Sequence, residues 1–291
     1  MTTASPTAAF ALDRRPDGAA VVWLEAPHQS VVVMDRVMLA RLDATIDALE
    51  ASPPSMVIIR SRDQRVWVAG ADLKEIDSLS DDELEAYLAE GQRVFGRIAS
   101  LPFPVIAAVC GATLGGGLEL AMHCHGVVAC VTSMRGKPYP IGLPEASLGL
   151  VPGWGGTQLM PARVPPDVSL PAMAAGKPFL SSELPEDLVD ATVDDPDALE
   201  QACVDLAATL DPTDLPRTIA SCDEEMLLAA VDHIRHDPAA TEAGKIVAHC
   251  VATGVKDGLP EGLEMEREGL VSLRNTEHTR GLLHAFLNPA Q

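Results

Sequence analysis

At 291 residues, 47% of them hydrophobic, the chain is long enough to bury a full core and too apolar for a disordered or fibrous protein. Its 42 acidic and 21 basic residues give a net charge of −21, which argues against nonspecific binding to nucleic acid or to an anionic membrane. An anionic ligand must therefore be held by a local cluster of donors, and an aromatic content of 3% offers little for stacking bases.

The opening stretch "MTTASPTAAFALDRRPDG" meets Arg14 and Arg15 before any long apolar run, unlike a secretory leader. Six cysteines (110, 124, 130, 203, 222 and 250) follow no disulfide-framework spacing, so the expected location is cytoplasmic. "AAVVWLE" (19–25) predicts a strand. From Asp35, a candidate N-cap, Met38, Leu42, Ile46 and Leu49 fall on one helical face. "MVIIR" (56–60) and "VWVAG" (66–70) are two more strands. Ser80 and Glu83 are spaced as a capping box, and Leu84, Leu88, Val94 and Ile98 continue that helix. "PVIAAV" (104–109) and "GVVACV" (126–131) are buried strands. Such alternation predicts a mostly parallel, layered α/β fold. Past residue 180 the composition turns acidic and then helical, with Leu270, Leu273, Leu282 and Phe286 along one stripe. The expected division is an α/β core over 1–190 and a helical region over 191–291.

The apolar run 104–122 is barely long enough to span a membrane and carries a proline, four glycines and Glu119, so a buried strand–turn–helix is expected instead. Within it, "LGGGLE" (114–119) places three glycines at a helix start, where backbone N–H groups lack partners and favour negative charge. By itself this reads as a tight turn followed by a first-turn glutamate. Nucleotide-loop patterns do not fit: there is no GxxxxGK[ST], and the glycine run departs from GxGxxG. "VWVAGADLKE" (66–75) offers a second backbone segment, and "IGLPEASLGLVPGWGGTQ" (141–158) carries Glu145 and another glycine-rich loop.

In this order, the three stretches resemble the enoyl-CoA hydratase/isomerase (crotonase) superfamily over roughly residues 15–290. "AGADLKE" and "IAAVCGATLGGGLELAMHC" look like its two oxyanion segments, and "GLPEASLGLVPGWGGTQLMPARV" looks like the block of its second glutamate. The 28–43 stretch is similar to the hydratase module of multifunctional β-oxidation subunits. The resemblance implies a spiral of ββα units with a C-terminal helical region, assembled as a homotrimer or dimer of trimers. It implies Glu119 and Glu145 as acid/base residues, the backbone N–H groups of Ala71 and Gly116 as an oxyanion hole, and Ala69, Gly70, Asp72, Leu73, Gly117 and Gly153 as substrate-binding positions. The implied substrate is an acyl-CoA, with coenzyme A part of the substrate, no separate cofactor and no metal. Gly116 would leave room for the approaching thioester carbonyl.

Retention of both glutamates points to hydration of a trans-2-enoyl-CoA. Other family reactions, such as double-bond isomerisation or a specialised dehydration, are the first alternative, and a non-catalytic oligomeric scaffold is the second. Arg60, Arg62, Arg65, Lys74 and Lys177 are candidate phosphate donors. The stretch "SMRGKPYP" (133–140) lengthens the spacing between the glutamates, and the resemblance places it beside the expected acyl pocket. Trp154 is open to two readings, pocket lining or plain packing. "HCH" (123–125) fits no zinc spacing, and Cys110 and Cys124 read as packed thiols.

Overall fold

The computed structural model describes residues 8–26, 29 and 31–288. Part of the N-terminal stretch, and His28 and Ser30 of the 28–43 segment, lie outside these. Along the chain, β1 (Ala11–Arg14) and β2 (Ala20–Leu24) form an antiparallel pair ahead of α1 (Arg36–Ala51). The Asp35 carboxylate accepts the Met38 N–H at 2.7 Å, the N-cap expected there. Next come β3 (Val57–Ser61), β4 (Val66–Val68), the short α2 (Leu73–Ser78) and α3 (Asp81–Ala99). The capping box forms at the start of α3: Ser80 Oγ accepts from Glu83 N, and the Glu83 carboxylate accepts from Ser80 N. Leu84, Leu88, Val94 and Ile98 are all buried along that helix.

The chain then repeats one pattern. β5 (Val105–Val109) is followed by β6 (Ala112–Leu114) and α4 (Gly116–His123), and β7 (Gly126–Cys130) by β8 (Pro140–Gly142) and the helical pieces α5 (Gly156–Leu159) and α6 (Pro166–Ala175). The first strand of each unit joins one sheet and the second joins another. Together with β9 (Phe179–Leu180) and β10 (Ala191–Val193) this gives a six-stranded sheet β1-β2-β3-β5-β7-β10 and a four-stranded sheet β4-β6-β8-β9. All pairings are parallel except β1–β2 and β8–β9, which lie at sheet edges. The result is a mostly parallel, layered α/β fold, as the strand and helix alternation predicts, wound as the spiral of ββα units that the resemblance implies.

The larger sheet is covered on both faces, which explains its unbroken apolar strands. Val22, Ile59, Ala107 and Val127 face the main core, while Val21, Ile58, Ala108 and Val128 face a smaller core closed by α7 (Leu199–Ala207). The rest is helical: α8 (Glu224–His236), α9 (Glu242–Asp257), α10 (Leu259–Arg274) and α11 (Glu277–Leu287). The expected division at 190 falls one residue before β10, which pairs with β7, and α7 packs on β5 and β7. The core sheet layer therefore continues to about residue 207. Among the described residues, no helix is long and apolar enough to cross a membrane.

Candidate active site

Two backbone segments meet at one cavity. In the first, Ala69 N donates to Val32 O, Met34 N to Gly70 O and Asp72 N to Met34 O, making a parallel bridge between Met34 and Ala71. In such a bridge the central residue's own N–H points away from the partner strand, so the Ala71 amide faces the other side. Gly70 sits at φ +110°, a conformation that favours glycine. The Tyr87 hydroxyl also donates to Met34 O and pins the bridge from behind.

The second segment is the start of α4. Gly115, at φ +50°, caps the helix and donates its N–H to Gly142 O, and Gly116 is the first helical residue. A Cβ placed on Gly116 would lie 3.5 Å from Ala71 N, so the two segments face each other closely. The same Cβ would stand 2.4 Å from the indole ring of Trp154. Glycine at 116 therefore makes room for this tryptophan, a reason the sequence reading, which invoked the incoming carbonyl, did not supply.

Glu119, on the first turn of α4, is 1% exposed. Its Oε1 accepts the N–H groups of Trp154 and Gly156, both at 2.8 Å. Burial pushes its carboxyl up to about 7, against the lowering effect of those amide donors. Glu145 opens a short 3₁₀ turn, Glu145–Leu148, with Oε2 sealed from solvent and without a hydrogen-bond partner. Burial first, then the charges of Glu119 and Glu266, hold its carboxyl well above the usual range. A Cβ on Gly115 would meet Glu145 Oε1 at 2.3 Å, so the glycine turn also clears space for this side chain.

The cavity between these parts has a volume of about 370 Å³. Ala69, Gly70, Ala71, Asp72, Leu73, Gly116, Glu119, Glu145 and Gly153 all line it. Gly117 does not: a Cβ there would lie 2.5 Å from Val68 O, so this glycine lets α4 pack on β4. Nor does the 133–140 segment line the cavity; Met134 instead borders a separate cleft with Trp23 and Arg60. Both Trp154 readings hold at once: its ring lines the cavity and also packs edge-on against Tyr87 and Phe95. Of the five basic candidates, Lys74 lines the cavity. Arg60, Arg62 and Arg65 pair with Glu200, Glu25 and Asp63, and Lys177 is exposed elsewhere. His123 Nδ1 donates to Glu119 O, and burial lowers its ring to about 4, while His125 Nδ1 accepts from Val105 N.

One buried carboxylate escaped the sequence reading. Glu266 of α10 is fully buried and accepts the N–H groups of Gly155 and Thr157. No motif around it marks it out, and only the docking of α10 brings it under the loop.

A family model described as enoyl-CoA hydratase/isomerase matches residues 15–226. Solved structures share the fold at low identity. An enoyl-CoA hydratase from Bacillus anthracis is 23% identical, with 95% of each chain covered and a TM-score of 0.61. A carnitinyl-CoA dehydratase from Mycobacterium thermoresistibile is 18% identical, with 95% of this chain and 89% of that one covered and a TM-score of 0.68. An enoyl-CoA hydratase from Bacillus halodurans is 17% identical, covering 94% and 98%, with a TM-score of 0.68. With the ββα spiral, the paired glycine segments and a family match spanning most of the sequence, the chain belongs to the enoyl-CoA hydratase/isomerase family.

Proposed function

We propose that this protein is an acyl-CoA enzyme that adds water across the C2–C3 double bond of a trans-2-enoyl-CoA thioester. The observation that carries this reading is the pair of glutamates, buried Glu119 and half-buried Glu145, on one cavity with the Ala71 and Gly116 backbone segments.

In this mechanism the thioester oxygen lies between the N–H groups of Ala71 and Gly116. Glu119, with a carboxyl near 7, is substantially ionised at neutral pH and takes a proton from water as its oxygen bonds to C3. The π electrons move onto the thioester oxygen as an enolate, where each fixed N–H donor is worth about 2.7–4 kcal/mol. Glu145, held protonated by its surroundings, then gives its proton to C2 and the carbonyl re-forms. Transfer of the proton from Glu119 back to Glu145 through solvent completes the cycle. Ala69, Gly70, Asp72, Leu73 and Gly153 are the walls against which the thioester lies, and Lys74 is the cavity cation for a CoA phosphate. A homotrimer or dimer of trimers is part of the proposal, to be read by light scattering.

The test is a series of trans-2-enoyl-CoA thioesters, short to long, followed by loss of the conjugated enone absorbance. Rapid loss in the wild type, abolished in Glu119→Gln, supports hydration. Thioester binding without loss at any length rejects hydration in favour of another reaction of the family. Neither binding nor turnover leaves the scaffold reading.

A further inference from the structure

The loop that runs from Trp154 into the first residues of α5 presents four consecutive backbone N–H groups, those of residues 154–157, and two buried carboxylates divide them alternately. Those of Trp154 and Gly156 go to Glu119, each at 2.8 Å. Those of Gly155 and Thr157 go to Glu266, at 2.7 and 2.8 Å. Gly155, at φ +99°, allows the chain to turn its amides this way. The Thr157 hydroxyl accepts from Gln158 Nε2 at 2.7 Å, which leaves its own hydrogen for Glu266 Oε1 at 2.5 Å. Among the described residues Glu266 makes no ion pair, although it is 0% exposed. A buried carboxylate without a cation is costly, and here its hydrogen-bond partners all belong to this loop.

We propose that Glu266 is a positioning residue for the reaction: by holding Gly155 and Thr157 from behind, it fixes the Trp154 and Gly156 amides on Glu119 and so aims the Glu119 carboxyl into the cavity. The inference rests on the hydration reading for the role of Glu119, and it extends the site to a helix outside the family's glycine and glutamate segments. Other titratable groups face Glu266. Glu119 comes from α4 and Glu145 from the 3₁₀ turn, Cys250 of α9 feels its charge, and the neutral His123 ring lies beside Gly155. A structural anchor alone would fasten α10 to the loop without tuning Glu119. The positioning role demands that Glu119 respond.

Glu266→Gln keeps the size but sets an amide N–H against a backbone donor that the carboxylate had accepted. Wild type and variant are compared on the best enoyl-CoA. The expected result is kcat lowered about 10–100-fold with KM changed by less than about threefold. The acid limb of the kcat/KM profile responds to two opposed changes in this variant, since lost donor alignment raises the Glu119 carboxyl and loss of the Glu266 charge lowers it. Thr157→Val removes only the hydroxyl and keeps the Glu266 carboxylate, so it should lower kcat less and move the acid limb to higher pH. It also decides the matter if Glu266→Gln does not fold. Infrared titration of the Glu119 carboxyl, identified by its disappearance in Glu119→Gln, supplies a readout free of turnover. If the wild type does not hydrate but Thr157→Val, which keeps the Glu266 charge, moves that titration, the functional reading fails and the positioning stands. An unmoved Glu119 titration and unchanged kcat in the folded Glu266→Gln variant, or in Thr157→Val if the former does not fold, overturns the proposal.

Discussion

Glu119 and Glu145 lie on one cavity but in different surroundings, and the difference sets what each can do. Glu119 has two amide donors on Oε1, whereas Glu145 Oε2 has none, so burial acts on Glu145 with less opposition. Activity should therefore fall as pH drops through about 7, where Glu119 takes up its proton, and Glu119→Gln should lower kcat by about 10²–10⁴ at every pH. A pH series of initial rates checks both. Glu145 also has a consequence for stability. Its folded value is raised above the ordinary 4.5, so the native state binds more protons than the unfolded chain above that pH, and stability falls as pH rises. Glu145→Gln should accordingly melt higher than wild type at pH 8, by about 2–4 °C per kcal/mol relieved, with the gap closing toward pH 4. Equal melting temperatures at both pH values would refute this. Trp154 is the third case. A Cβ on Gly91 would stand 2.1 Å from its Nε1, so a helix-interior glycine and Gly116 both yield space to the ring. Trp154→Ala should open room beside the cavity and shift the kcat/KM ratio toward longer enoyl chains by about tenfold or more. An unchanged chain-length profile would contradict that.

Among the elements, those with a full period or a cap were legible before the structure. α1 and α3 have both, and Asp35, Ser80 and Glu83 make the capping bonds their spacing implies. β1, β8, β9 and β10 were not read, because these strands of two to four residues are too short for alternation to stand out. Their register comes from neighbours, as when β6 pairs with both β4 and β8. Element packing also decides how firmly α2, the helix after the Ala71 segment, is held. The Arg274 guanidinium of α10 is almost fully buried, donates to Ile76 O at 2.9 Å and Leu79 O at 2.7 Å, and pairs with Asp81. It thereby ties α10 to the end of α2 and the start of α3. Arg274→Met leaves those carbonyls unsatisfied and should cost about 2–4 kcal/mol in urea unfolding. A loss below about 0.5 kcal/mol would show that the tether contributes little.

Over the whole molecule, the glycine and glutamate stretches were legible because backbone turns, helix starts and buried carboxylates use few residue types in fixed order. Glu266 was not, since nothing local distinguishes it from the many surface glutamates of an acidic chain. It acquires its place only when α10 docks under the 154–157 loop, 266 − 119 = 147 residues beyond its counterpart. Beyond residue 190, β10 and α7 complete a sheet layer that includes β2. The helical region is thus built into the site, with Leu270, Phe286 and Leu287 on the cavity wall. The most direct test of hydration is to incubate the wild-type protein with a trans-2-enoyl-CoA in ¹⁸O-labelled water and weigh the product by mass spectrometry. Hydration predicts a product heavier by one labelled water, with the label at C3. A consumed or shifted enoyl thioester that gains no labelled oxygen would contradict the proposed reaction.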